Sequence, residues 1–477
     1  MNARPDSPVA SVTGIVPWIV ACALFMQSLD STAIATAVPQ MAHSLRVAPV
    51  QLSAAITSYI LAVAVFLPMS GWLADRFGAR RVFALAIVMF TLASVACGAT
   101  SSLPQLVIAR IVQGAGGSMM VPVGRLVLLR SIPREQLVRA MARMTMPALV
   151  GPAIGPVLGG FLATYASWRW IFLINIPIGL IGTILALKLI PDIREERHVA
   201  GPFDALGFVL SGVALGTLVF GLEGVGRHGS SGAPFGLIAL GLASGGVYLI
   251  RARRMASPVL DVRLFRHPTY AAALLGGSLF RFGVGAVPFL MPMQLQVGFG
   301  LTAFASGCIT FSGALGAILS KPFTSGVLQR LGFRSALALN GVLSGLILIG
   351  YGLFRPVTPH ALIIAAMLIG GCMRSLQFTY MNTLAYAEIP QPDMSRANTL
   401  SGVMQQLSIS MGVALAAATL QRSAGSHSPL PGDFVAPYLV VGLLSCASSL
   451  FFLRLHPRAG AEMSGHRPQI IDEPEID

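Results

Sequence analysis

Acidic side chains are scarce in this chain: 18 Asp and Glu stand against 32 Lys and Arg in 477 residues. Charged residues of both signs make up only 10% of the whole, where a water-soluble domain carries roughly a quarter. That shortage excludes a soluble domain of any size, because the longest polar stretches are the tail after residue 455 and the joint over 251–268. The five cysteines, Cys22, Cys97, Cys308, Cys372 and Cys446, each fall in an apolar run with no paired or metal-like spacing. They exclude a disulfide framework or a zinc site and read as small packing residues. Also missing are a phosphate-binding glycine loop ending in Lys and Ser or Thr, and a G-x-S-x-G nucleophile turn. ATP-driven transport and serine hydrolysis therefore have no support, and neither an enzyme activity nor a cofactor is expected.

What the chain has in abundance is apolar length. Hydrophobic residues reach 55% with a mean hydropathy of +0.75, and runs of about twenty recur from end to end, each long enough to span about 30 Å of hydrocarbon as a helix. Fourteen spans are predicted, at 14–38, 52–72, 82–99, 103–125, 143–165, 168–190, 203–223, 233–251, 269–293, 301–321, 335–354, 360–386, 397–420 and 434–454. The first run is too long for a signal-peptide core and is expected to stay as the first helix. With the N-terminus inside, 23 of the 32 basic residues fall on inner joints, tails and helix ends, and only Arg46, Arg169, Arg227, Arg355 and Arg422 on outer ones. Both termini are thus expected in the cytoplasm by the positive-inside rule. The net charge of +14 expresses topology, and no nucleic-acid partner is expected.

Within "ALFMQSLDSTAIATAVP", residues 23–39, Asp30 stands deep in the first predicted helix. A carboxylate at helix centre costs roughly 2.5–3.5 kcal/mol on insertion scales, so it finds a cation or takes a proton. Two readings follow: a site that carries a proton, or a permanently ionised partner of an arginine. Glu223, Asp204 and Glu388 are expected near helix ends. Four arginines, Arg110, Arg125, Arg281 and Arg374, also fall within spans; Arg125, toward an inner end, is expected to snorkel.

Two joints repeat each other. "LPMSGWLADRFGARR" from Leu67 and "KPFTSGVLQRLGFRS" from Lys321 align at an offset of 254 residues, with Pro68 on Pro322, Arg76 on Arg330, Gly78 on Gly332 and Arg80 on Arg334. Each joins the second and third helices of a six-helix unit once the spans at 203–223 and 233–251 are set aside as an insert. Parallel six-helix halves around a midplane cavity are a transporter plan. Arg281 and Arg374 then occupy the first and fourth helices of the second half, where they either hold an anionic group or bond to helix carbonyls. Gln27, Gln113, Gln377 and Tyr380 are further candidates for the cavity wall.

"GWLADRFGARR" resembles the loop signature of the major facilitator superfamily, and "LVIARIVQGAGGSMM" its fourth-helix motif, with Arg110, Gln113 and Gly114 on the marked positions. "SLDSTAIATAVP" and "WRWIFLINIPIG" resemble the first- and sixth-helix motifs of its fourteen-helix drug:proton antiporter subfamily. "GPAIGPVLGGF" resembles the fifth-helix motif of proton-driven exporters. The resemblance covers residues 14–454 and implies an all-α polytopic major facilitator fold with fourteen transmembrane helices. It divides the chain into a tail (1–13), a six-helix half (14–190), an inserted pair (191–251), a basic linker (252–268), a second half (269–454) and a tail (455–477).

The resemblance implies a proton-coupled exporter of small amphipathic compounds in the bacterial inner membrane, working by alternating access, here as a monomer. Asp30 and Arg110 would be its proton-coupling pair. Gly71, Asp75, Arg76, Gly78 and Arg80 would form a cytoplasmic gate. Gly151, Pro152, Gly155, Pro156, Gly159 and Gly160 would give the fifth helix a smooth, deformable stripe that lets the halves approach and part. An exporter or facilitator of an anionic or zwitterionic metabolite, and a sensor or scaffold that keeps the fold without transport, stand as alternatives.

Overall fold

The computed structural model describes residues 8–132, 134–191, 203–225, 232–255, 258–425, 427–457, 459–460 and 463. Of the predicted tails, 1–13 and 455–477, residues 1–7, 458, 461–462 and 464–477 lie outside the described residues, as do the joints holding Arg194, Arg197 and Arg227. Sixteen α-helices and no strand occur among the described residues. A segment surrounded by lipid can satisfy its own amides and carbonyls only as a helix, and the embedded hydroxyls follow the same rule. Thr32 Oγ1 donates to the Ser28 carbonyl, Thr57 Oγ1 to that of Ser53 and Thr91 Oγ1 to that of Ile87.

The first half contains α1 (Pro8–Leu45), α2 (Ser53–Phe66), α3 (Met69–Phe77), α4 (Ala79–Ala99), α5 (Leu103–Ser131), α6 (Arg134–Tyr165), α7 (Trp170–Leu173) and α8 (Asn175–Leu189). The inserted pair is α9 (Ala205–Val225) and α10 (Ala233–Arg254). The second half contains α11 (Pro268–Met293), α12 (Ala303–Leu319), α13 (Thr324–Gly352), α14 (His360–Ala385), α15 (Met394–Ala424) and α16 (Val435–Leu453). Counting α2 with α3 and α7 with α8 as single crossings, the described residues make fourteen crossings. Several helices outrun the predicted spans, because hydropathy marks only the stretch matched to hydrocarbon. Thus α1 begins at Pro8 rather than residue 14; α13 is broken at Gly332, so its crossing part starts just past that turn, close to the expected residue 335.

The repeat seen in the sequence reappears in packing and in backbone angles. In the first half α1 packs on α6, α2 on α5, and α4 on α8; in the second α11 packs on α15, α12 on α14, and α13 on α16. The halves meet along two seams, α6 against α12 and α2 against α15, which the same two-fold relation exchanges. Both joint glycines take left-handed φ, 91° at Gly78 and 67° at Gly332. An L side chain rarely adopts that region, so each joint turns at the same place for the same reason.

The glycine stripe of α6 serves two interfaces. Cβ atoms added at Gly155 and Gly159 would meet Thr32 Oγ1 at 2.0 Å and the Ala33 carbonyl oxygen at 2.3 Å, so this row holds α6 against α1 inside one half. The contact between halves falls to its neighbours: a Cβ at Gly160 would meet the Ala303 oxygen at 2.3 Å, and one at Gly307 the Pro156 oxygen at 2.2 Å. Of the stripe expected to let the halves approach and part, Pro156 and Gly160 thus meet the other half, while Gly155 and Gly159 pack within their own.

The inserted pair leans on the α2–α15 seam. Helix α9 packs on both of those helices, whereas α10 packs on α9 and the linker. The Phe208 ring of α9 packs tilted against that of Phe66, centroids 5.7 Å apart, and Asp204 pairs with Arg251 of α10 at 3.0 Å. Glu223, expected near a helix end, does lie in the last turns of α9, yet it is only 5% exposed. Its carboxylate accepts hydrogen bonds from Ser53 Oγ and, at 3.3 Å, from Thr57 Oγ1 of α2. Glu223 is thus a second buried acid on an apolar helix. In the linker, Asp261 accepts two hydrogen bonds from the Arg263 guanidinium at 2.8 Å and faces Arg396 of α15 at 3.5 Å. Those guanidinium bonds hold the Asp261 carboxyl below the usual carboxylate range.

Replacing Gly78 or Gly332 by Ala should destabilise the protein by about 1–3 kcal/mol each, the cost of holding an L residue in a backbone region open essentially to glycine alone. Thermal unfolding of the purified chain in detergent checks this, and similar losses at both positions are the expected result.

Candidate functional site

Five helices converge on Asp30. Its carboxylate is 1% exposed, and the Arg110 guanidinium beside it is fully buried. Arg110 Nη1 donates to Asp30 Oδ2 at 2.5 Å and to Gln113 Oε1 at 2.6 Å. The other carboxylate oxygen accepts from Gln113 Nε2 at 2.9 Å and from Asn175 Nδ2 at 3.2 Å. Ser94 Oγ closes the network, accepting from Gln113 at 2.8 Å and from Asn175 at 3.2 Å. Arg110 Nε reaches the Ala55 carbonyl of α2 at 3.3 Å, and the guanidinium carbon lies 4.1 Å from the centroid of the Tyr59 ring. Helices α1, α2, α4, α5 and α8 each contribute a group.

The spacing on α5 explains the local geometry. Arg110 and Gln113 are three residues apart, so both project toward α1 from one face. The backbones close in where glycine replaces bulk: a Cβ at Gly114 would meet the Tyr59 carbonyl oxygen at 2.5 Å. Asn175 and Ser94 were not among the sequence candidates. The signal for Asn175 was a lone amide in the apolar stretch "WIFLINIPIG"; nothing distinguished Ser94 from other embedded serines.

On another face of α1, Thr32, Ala35 and Thr36 line a cavity of about 440 Å³ between the halves. Pro152 and Pro156 of α6, Val284, Val287 and Pro288 of α11, and Ala314 of α12 give it apolar walls. Arg374 and Phe378 of α14 line the remaining side, and the cavity reaches the exposed Lys321. Asp30 is not on its wall.

The remaining candidates divide. Arg374 faces the cavity, while Arg281 is buried beside it with its guanidinium carbon 5.5 Å from the Phe378 ring centroid. Gln113 belongs to the Asp30 network. Gln27 lies with the Tyr59 hydroxyl beside Gly117. Gln377 bonds Asn340 of α13 at 2.9 Å, and the Tyr380 hydroxyl donates to the Thr324 carbonyl at 2.9 Å, so both join helices and neither lines the cavity. Arg125 is exposed at its end of α5.

At the end of the bundle away from the chain termini, Gln40 Nε2 of α1 donates to Gln296 Oε1 just beyond α11 at 3.1 Å, and Gln296 Nε2 donates to the Thr36 carbonyl at 2.9 Å. The Phe304 amide of α12 donates to Thr164 Oγ1 of α6 at 3.1 Å. These bonds tie the halves together at that end. At the opposite end, Asp75 pairs with Arg130 at 3.0 Å inside the first half, and Arg80 bonds the Leu187 carbonyl. Gly71 and Arg76 are exposed there.

A fold of two pseudo-symmetric six-helix halves around a central cavity defines a membrane transporter architecture. The chain belongs to the Major Facilitator Superfamily, whose family model matches residues 20–413 and again 273–469. It is 39% identical over 444 residues to MdtD of Serratia proteamaculans, a relative named for multidrug resistance, covering 92% of each chain. It is 38% identical over 449 residues to MdtD of Pectobacterium atrosepticum, covering 92% of this chain and 95% of that one. Among solved structures, a POT family transporter in complex with a thioalcohol-conjugated peptide superposes with a TM-score of 0.69 at 16% identity, over 92% of this chain and 95% of that one.

Breaking a buried ion pair from one side typically costs about 3–5 kcal/mol, because the other charge stays buried alone. Asp30→Asn and Arg110→Gln should therefore each lower the unfolding temperature, and the double variant should lose less than their sum. A double-mutant cycle by thermal unfolding measures the difference.

Proposed function

We propose that this protein exports small amphipathic compounds across the bacterial inner membrane in exchange for protons, as a monomer with both termini in the cytoplasm. The observation that supports it best is the buried Asp30–Arg110 pair on one face of α1 with the substrate-sized cavity on another. One helix then touches both the proton site and the substrate site. The relatives' multidrug resistance name and the intact fifth-helix motif point the same way.

With the termini inside, the glutamine latch Gln40–Gln296 closes the periplasmic end and the cavity reaches the cytoplasmic Lys321. This is the inward-facing state, with Asp30 ionised and held by Arg110. Substrate enters from the cytoplasm in this state. A proton arriving from outside neutralises Asp30 and removes the charge that holds α1 to α5; Arg110 retains Gln113, the Ala55 carbonyl and the Tyr59 ring. Release of the proton to the cytoplasm restores the pair. One elementary charge falling through 100 mV supplies about 2.3 kcal/mol. Asp75 and Arg76, with the turn at Gly78, act as the cytoplasmic gate: Asp75 is held by Arg130 within its own half now and is free to engage the other half when that end closes.

The apolar seam between the halves slides at Gly160 and Gly307, where backbones touch without side chains between them. A sensor or scaffold needs neither an intramembrane acid nor a cavity. Purified protein in liposomes with a panel of cationic, neutral and anionic amphiphiles tests the reading: a compound should evoke proton flux that Asp30→Asn abolishes while still binding the compound. Transport with no proton movement, or an unchanged Asp30→Asn variant, overturns it.

A further inference from the structure

On the second-half side, Arg374 lines the cavity and Arg281 is buried beside it, and among the described residues no carboxylate lines that wall. Arg374, Phe378 and Asn382 are spaced four residues apart on α14, so they form one stripe. Arg374 lines the main cavity and also the smaller pocket against Tyr351 and Met367. Arg281 of α11 faces the same stripe: Nη2 donates to Asn382 Oδ1 at 3.3 Å, and the guanidinium carbon lies 5.5 Å from the Phe378 ring centroid. Its side chain is 4% exposed, with Nε and Nη1 lacking a hydrogen-bond partner among the described residues.

Each acid whose side chain is described is engaged elsewhere. Asp30 pairs with Arg110, Asp75 with Arg130, Asp204 with Arg251, Asp261 with Arg263, Asp393 with Arg396 and Asp433 with His427. Glu223 holds Ser53 and Thr57, and Glu388 accepts from Thr269. Two positive charges at this depth are costly without a counter-charge. Lys321 adds a third at the cavity's mouth. Guanidinium groups select carboxylate, phosphate and sulfonate oxygens, which accept paired N–H bonds. The surrounding wall of Val284, Val287, Pro288 and Phe378 suits an apolar body.

We propose that Arg374 and Arg281 form the subsite for an anionic group on the exported compound, so that the preferred substrates are amphiphiles with a carboxylate, phosphate or sulfonate head. This rests on the transporter reading and names its substrate class. It carries an electrical corollary: export of a monoanion against entry of one proton moves two charges in the direction an inside-negative potential favours, whereas exchange of a monocation for one proton moves none.

Binding of matched fluorescent probes to the full-length protein in lipid nanodiscs tests the subsite without requiring transport. N-dansylglycine, a carboxylate, should bind about tenfold or more tightly than its neutral amide, the scale of hydrogen bonds to a charged group. Arg374→Gln should remove most of that preference, the carboxylate losing far more affinity than the amide, and Arg374→Lys should keep part of it. Arg374 is the first choice because it makes no hydrogen bond or ion pair among the described residues, so its loss leaves the fold's own contacts in place; Arg281→Gln is the second variant, accepted only if its unfolding temperature is preserved. Equal or tighter binding of the amide or of dansylcadaverine, a cation, overturns the proposal, as does an Arg374→Gln variant that still prefers the carboxylate. If the carboxylate preference holds while Asp30→Asn leaves flux intact, the subsite stands and the proton-coupling reading falls. If cations alone evoke proton flux and no carboxylate preference appears, the reverse applies.

Discussion

The ion pair between Asp30 and Arg110 is the constraint around which the first half is arranged. In hydrocarbon neither charge is tolerable alone, and even as a pair their desolvation is offset only when the remaining hydrogen-bonding positions are filled. The structure fills them with Gln113, Asn175, Ser94 and the Ala55 carbonyl, drawn from helices distant in sequence. Glycines at 114 and 117 let α5 come close enough for this to happen. The cost of burying charge thus dictates where backbones must touch, and the touching backbones set the position of α1.

Helix α1 is consequently a shared element. One side carries the carboxylate, another lines the cavity, its row opposite Gly155 and Gly159 packs on α6, and its far end holds the glutamine latch. Any change at Asp30 would therefore alter the fit of a helix that also borders the cavity and the Gln40–Gln296 contact. Discrete repacking of such an element, rather than smooth deformation, is what close-packed interiors permit. The inserted helices act from outside this core: α9 rests on the α2–α15 seam and holds α2 through Glu223, so the pair braces one of the two seams that alternating access must open.

Much of this was legible in the chain. Apolar run length gave the fourteen crossings, because a span must satisfy its own backbone, and the offset of 254 residues gave the two-fold relation that packing and the left-handed Gly78 and Gly332 repeat. Asp30 and Arg110 stood out because charge in an apolar run is expensive. What the sequence could not resolve was azimuth. Gln377 and Tyr380 share α14 with Arg374, yet they face α13 while Arg374 faces the cavity. On α6, Gly155 and Gly159 likewise turned toward α1, while Pro156 and Gly160 met the other half. Asn175, Ser94 and Glu223 acquired roles only through partners on other helices, which no local pattern encodes.

The central claim is that Asp30 changes protonation as substrate binds. Infrared difference spectroscopy of the carboxyl C=O stretch, recorded on adding a transported compound to the purified protein at a pH where the free protein holds the proton, reads that change directly. The account predicts loss of a protonated-carboxyl band in the wild type and its absence from the Asp30→Asn spectrum. A wild-type spectrum with no such band, or the same band in Asp30→Asn, would contradict it.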